Sequence, residues 1–166
     1  MQTPSSMLSI VKRDLNKLGK DFQELDVSKI KIQIKTLKTG SMAAWKYPYR
    51  INIDPIKWRD ARNSYFIGTL AHELCHLVKA SKLNFSSYWI YITKYYLGAY
   101  FYFKEYARED EIWTDKEAIR RGYARKLASS RGYRLKKASK QVLAKIGKNY
   151  MTPKEIKLYA KSIKKW

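Results

Sequence analysis

The sequence predicts an α+β domain in which a small sheet lies beside a helix carrying two histidines, with further helices around them. Three observations predict it. Ile30, Ile32 and Ile34 alternate with Lys29, Lys31, Gln33 and Lys35, the period of a half-buried strand. Phe66, Leu70, Leu74 and Leu77 recur at helical spacing. The chain has 166 residues and 45% hydrophobic content, enough for one domain (1–166) with one core.

In chain order, Thr3-Pro4 reads as an N-cap with proline at the first helical position. A helix is expected from there to about Gly19, with Met7, Leu8, Val11, Leu15 and Leu18 on one face. A strand follows over Val27 to Leu37, then a turn at Lys38-Thr39-Gly40-Ser41. Two short strands are expected at Met42 to Lys46 and Tyr49 to Ile53. Asp54-Pro55 then ends the sheet and opens a short helix. Asn63 or Ser64 caps the histidine helix, which should reach about Ala80. Ser86 to Phe103 is dense in tyrosine and carries Lys94 near its centre, so it reads as a core or interfacial helix rather than a membrane span. Glu105 to Lys126 reads as one charged helix, with a break at Arg131-Gly132-Tyr133 and a further helix over Leu135 to Ile146. Thr152-Pro153-Lys154-Glu155 is a capping box that starts a basic helix reaching about Lys164. The core is expected over about 27–127, with a basic helical extension over about 128–166.

Lys and Arg number 35 against 14 Asp and Glu, a formal charge of +21. A field of that sign attracts nucleic acid, anionic membrane surfaces or acidic protein, and does not choose among them. The N-terminus lacks an uninterrupted apolar run and Cys75 is the lone cysteine, so no internal disulfide and no export signal are expected. A cytoplasmic chain is expected, with peripheral membrane contact as an alternative. From Ile119 to Trp166 the only acid is Glu155, whereas Glu105, Glu109, Asp110, Glu111, Asp115 and Glu117 crowd together. An acidic island in a basic chain needs a local reason, and a bound cation is one.

The chain's two histidines, His72 and His76, both fall in one His-Glu-x-x-His motif. Residues four apart share a helix face, so both imidazoles reach one ion, and Glu73 between them reaches water at that ion. Zinc (Zn2+) suits imidazole ligands and this chemistry. Cys75 points off the histidine face and reads as a buried thiol. No third histidine exists, so an acid must complete the ligand set. Glu111 and Asp115 share a helical face, and Ala118 and Gly122 continue it as small residues that would let this helix approach the histidine helix. Glu111 would then reach the metal, and Asp115 would accept a hydrogen bond from a ligand imidazole.

The segment Leu70-Ala71-His72-Glu73-Leu74-Cys75-His76, followed by Glu111, Asp115, Ala118, Gly122 and Tyr123, resembles the gluzincin metallopeptidases. The similarity is to their CaaX prenyl protease and HtpX branch and to the soluble minigluzincins, over about Ala43 to Leu127. It implies a zincin-like fold and a zinc endopeptidase in which Glu73 is the general base. His72, His76 and Glu111 are then the ligands, and Asp115 orients one of them. It also implies that Ala43, Ala44 and Trp45 form an edge strand that binds peptide by strand addition. The later His-Pro motif of many relatives is absent, which leaves Tyr123, Arg131 and Arg134 as candidates for stabilising an oxyanion. By the same resemblance, the tail from Met151 to Trp166 either packs as an ordinary helix or covers the cleft. The charge keeps two other readings open: a basic nucleic-acid-binding protein with a structural zinc site, and a DNA-associated protease of the SprT-like kind.

Overall fold

A computed structural model describes residues 4–37, 42–60, 63–100, 104–137 and 149–166. It is mixed α and β, mostly helical, with one three-stranded sheet. The first helix, α1 (Pro4–Leu18), buries Met7, Val11, Leu15 and Leu18, a spacing of four, four and three that faces the core. Phe22 and Leu25 continue that apolar surface into the next turn.

The first strand is shorter than its alternation predicts. Asp26 accepts from the Ser28 backbone N–H (3.2 Å) and winds Val27–Lys29 into a 3-10 turn, so β1 begins only at Lys31 and ends at Ile34. Strands β2 (Met42–Trp45) and β3 (Arg50–Ile53) fall where expected. The sheet order is β1-β3-β2, with β3 parallel to β1 and antiparallel to β2. Ile51 and Ile53 on the central strand are fully buried. Strand β2 lies on the sheet edge and packs against the histidine helix.

Asp54 ends the sheet for a physical reason. Its carboxylate accepts from the N–H groups of Ile56 (3.0 Å) and Lys57 (3.1 Å), capping α2 (Pro55–Asp60), and from Leu37 (2.9 Å) across the strand ends. Burial opposes the charge there, but these donors and Lys57 hold the carboxyl below its ordinary range.

The histidine helix α3 (Asn63–Ser81) buries Phe66, Leu70, Leu74, Leu77 and Val78. It is followed by α4 (Phe85–Tyr100), α5 (Lys104–Ala118), α6 (Ala124–Lys137) and α7 (Pro153–Ser162). Among the described residues, no helix is long and apolar enough to cross a membrane. Helix α7 begins on the expected capping box: Thr152 Oγ1 accepts from Glu155 N–H (3.3 Å), and Glu155 Oε2 accepts from Thr152 N–H (2.7 Å). Its Ile156 and Ala160 are buried in the core.

Two expectations about the helices are corrected. The charged segment is two helices, because a wide turn at Ile119–Tyr123 places Gly122 at φ +91°, where a side chain would be strained. Gly122 therefore turns the chain; a Cβ there would meet nothing within 4 Å, so it is not a helix-contact residue. Arg131, Gly132 and Tyr133 lie inside α6 rather than at a break. Burial of Leu127 on this helix contributes about 1.5–3 kcal/mol, against a helix cost of about 1 kcal/mol for one glycine. The Thr3 cap, the Asn63 and Ser64 side chains, the Lys38 to Ser41 turn, the end of the tyrosine-rich stretch and the helix beyond Lys137 lie outside the described residues.

The close helix approach belongs to Gly68 instead. A Cβ on Gly68 would sit 2.4 Å from the backbone carbon and oxygen of Lys126 on α6. Backbone cannot swing away as a side-chain tip can. Gly68→Ala is therefore expected to cost about 1–3 kcal/mol or more in a urea unfolding curve. The same change at Gly132, where a Cβ meets nothing within 4 Å, should not destabilise.

Candidate metal centre

Helix α3 places His72 and His76 one turn apart, with ring centroids 4.9 Å from each other. Helix α5 lies alongside and presents Asp110, Glu111, Thr114 and Asp115 to them. Glu111 Oε2 stands 3.0 Å from His72 Nε2 and 3.5 Å from His76 Nε2. One donor atom from each of these three residues fits within 4.8 Å of the others. A tetrahedral ion with bonds of about 2.0–2.1 Å separates its donors by about 3.3–3.4 Å. The spacing and the donor set, two imidazoles and a carboxylate, fit a divalent cation.

The far side of each ring confirms which nitrogen faces the centre. Asp115 Oδ1 lies 2.8 Å from His72 Nδ1. An ionised carboxylate can only accept, so Nδ1 carries a proton and Nε2 is the nitrogen turned toward Glu111. Asp115 is itself buried and held by Arg131 Nη2 (2.7 Å) and by the Met151 backbone N–H (3.0 Å). His76 Nδ1 faces Asp110 Oδ2 and Thr114 Oγ1, both at 3.4 Å. Thr114 donates its hydroxyl to the Asp110 carbonyl (2.8 Å), which leaves its oxygen free to accept. Asp110 is anchored by Lys79 and by the Tyr91 hydroxyl (2.7 Å). Each imidazole thus has its own acid, and each acid its own pair of donors.

Glu111 Oε1 accepts from Tyr95 and, at 3.3 Å, from Tyr150. Burial, then the Glu111 charge, keeps both phenols protonated as donors. Burial also works against charge on the imidazoles and on Glu111, but they outweigh it in each other. His72 is raised by Asp115 and Glu111, His76 is raised well above its ordinary value by Glu111 and Asp110, and Glu111 is held well below its own by the two rings.

Protons therefore compete with a cation for the two Nε2 lone pairs. Zinc uptake by chelator-treated protein near neutral pH is expected to release roughly two protons, countable by calorimetry in buffers of different ionisation heat. Stability should follow the same groups. The raised imidazoles contribute fully below their unfolded value of 6.5, and this is lost as pH climbs through the folded values. The depressed Glu111 contributes above 4.5, and this is lost as pH falls through its folded value. In chelator the stability difference between wild type and Glu111→Gln should therefore be largest between these two pH values and shrink above them.

Glu73 is 8% exposed and sits next to the ligand pair on α3. Among the described residues no hydrogen bond engages its carboxylate. Arg134 on α6 is within electrostatic reach of Glu73 and Glu111; burial and then Arg131 push its charge down, while these carboxylates support it. Its guanidinium lies 5.4 Å from the Tyr150 ring, and that of Arg131 4.2 Å.

The structure thus brings His72, Glu73, His76, Glu111, Asp115, Arg131 and Arg134 together. Of the three oxyanion candidates, Arg131 is committed to Asp115, and Tyr123 turns away to donate to Asp21 and pack on Phe22. Ala43, Ala44 and Trp45 occupy β2 beside α3. Cys75 is buried on the core face, and burial pushes its thiol up. Sequence reasoning placed Asp110 in the acidic island without pairing it to His76, and missed Lys79, Tyr91, Tyr95, Thr114 and Tyr150. Thr114 and Asp110 lay in the same heptad as Glu111, and the turn spacing of His76 to Lys79 was available as a signal. Tyr150 offered none, because its contact spans 39 residues.

Comparison of the chain with protein-family models, with curated proteins and with solved structures finds no match in any of the three.

Proposed function

We propose that the protein is a zinc-dependent endopeptidase with a zincin-like, gluzincin arrangement of its site. The supporting observation is that His72, His76 and Glu111 converge from two helices, while Glu73, next to His72 on α3 and 8% exposed, has no hydrogen bond to its carboxylate among the described residues. A structural zinc site closes with four protein ligands, whereas three leave a position open. Only three converge among the described residues.

In this reading His72, His76 and Glu111 hold the ion, and Asp115 and Asp110 fix the two rings. Zinc, when bound, supplies a Lewis acid that acidifies water and polarises a carbonyl. Glu73 accepts the proton from the attacking water and delivers it to the leaving amine. Arg134, within electrostatic reach of Glu73 and Glu111, is assigned in this reading to stabilise negative charge developing on the scissile carbonyl oxygen. The edge strand β2 aligns the peptide through backbone hydrogen bonds, which give affinity with little demand on sequence.

The test is metal analysis coupled to a peptide-library digest. The protein should carry one equivalent of zinc, cleave internal peptide bonds, lose cleavage with chelator and regain it with zinc. Zinc binding without any cleavage in the library would leave a structural site and remove the peptidase reading.

A further inference from the structure

Among the described residues seven large apolar side chains are exposed, and three of them, Ile56, Leu158 and Trp166, belong to other parts of the chain. The other four lie where the end of β2 meets the start of α4. Tyr47, Phe85, Trp89 and Ile90 are 42%, 61%, 47% and 57% exposed. The three rings are contiguous: Tyr47 and Phe85 rings are 5.4 Å apart, and Phe85 and Trp89 rings 6.1 Å apart, and Ile90 follows Trp89 on the same helix. Tyr88 lies beneath them, buried, with its hydroxyl accepting from the Lys46 backbone N–H at 3.1 Å. The patch is thus a fixed platform on a helix, carrying three large apolar side chains in two turns. Lys82, Asn84, Ser86, Thr93 and Lys94 are exposed residues near it in the chain.

We propose that this face docks on an anionic lipid bilayer. The choice of occupant rests on charge and on side-chain type together. From Leu74 to Lys104 the chain has no Asp or Glu, and the whole protein carries +21. Such a surface is drawn to anionic headgroups, with Lys82 and Lys94 flanking the apolar residues. Trp and Tyr favour the boundary between headgroup and acyl chain, and Phe85 and Ile90 gain by entering it. Nucleic acid would use the positive charge and stack on the rings, but it has no use for Ile90, the second most exposed member. A second copy of this chain would bring one strongly positive surface against another. This docking does not depend on the peptidase reading, and its test contains no substrate.

The experiment is co-sedimentation with phosphatidylcholine vesicles, with and without phosphatidylglycerol. Wild type should bind the anionic vesicles, bind the neutral ones much less, and retain part of its binding when salt is raised, because the apolar contribution is unscreened. Trp89→Ser combined with Ile90→Ser should weaken binding to anionic vesicles by about tenfold or more. Leu158→Ser, an equally exposed apolar residue on α7, should leave it unchanged. Circular dichroism of each variant verifies the fold. Failure of wild type to bind anionic vesicles overturns the proposal. So does equal binding by the Trp89/Ile90 variant, which would make the attraction a matter of net charge alone. Binding to duplex or single-stranded DNA with none to vesicles would assign the basic surface to nucleic acid instead.

Discussion

Glu73→Gln is expected to keep one equivalent of zinc at wild-type affinity and to lose about 10²–10⁴-fold in kcat/KM, the usual share of a general base. The substitution preserves shape and removes only the ability to take a proton. Because no hydrogen bond among the described residues engages the Glu73 carboxylate, its loss should leave the fold undisturbed, and thermal unfolding should verify this. Glu111→Gln makes the contrast. It removes the negative charge on which both Nε2 atoms converge, so metal affinity should fall along with activity. Metal content and hydrolysis of a library-derived fluorogenic peptide, measured on the same preparations, separate the two roles. Undiminished cleavage by zinc-loaded Glu73→Gln would falsify the mechanism even if the metal centre stood.

The parts of this site written in local spacing were legible in the sequence. His72 and His76, and Glu111 and Asp115, are each one helical turn apart, and a turn is a property of the backbone alone. The capping box at Thr152 and Glu155 and the Asp54-Pro55 stop are likewise local hydrogen-bond chemistry. The third member of the cluster was legible as well: with both histidines in one motif and Cys75 turned off their face, an acid was expected, and Glu111 is the acid that meets them. What spacing does not carry is which surfaces meet. Gly122 and Gly68 are equally small on paper. One turns the chain at positive φ and the other admits a backbone, and only the packed helices tell them apart. Arg131 was expected at a helix break and as a candidate for stabilising an oxyanion. Its partner, Asp115, lies 16 residues earlier on another helix, and the buried ion pair ties that stretch of α6 to α5. The strand β1 was over-read for a similar reason: alternation fixes which residues face the core, while the Asp26 side chain decided where the strand begins.

Arg131→Met is expected to destabilise the protein by about 3–5 kcal/mol, because it strands a carboxylate in the core rather than exposing one to water. Asp115 is fully buried and Arg131 nearly so, at 0% and 1% exposure. Burial opposes ionisation of Asp115, and the guanidinium followed by His72 is what holds its carboxyl low. A depressed carboxyl contributes stability above its unfolded value of 3.8 and loses it as pH falls through the folded value. The gap between wild type and Arg131→Met should therefore be widest near neutral pH and narrow in acid, where Asp115 of the variant protonates first. A double-mutant cycle with Asp115→Asn isolates the pair. Each single change leaves one buried group without its counterpart, so the double variant should be more stable than the sum of the two losses allows. Zinc affinity should not recover with stability, since His72 Nδ1 then faces a neutral amide in place of a carboxylate and a loss of about 10–100-fold is expected. Chemical unfolding across pH gives the first quantity and competition with a chromogenic chelator gives the second. If stability and metal affinity recovered together in the double variant, Asp115 would be serving the fold alone, and the orientation of His72 would have another source.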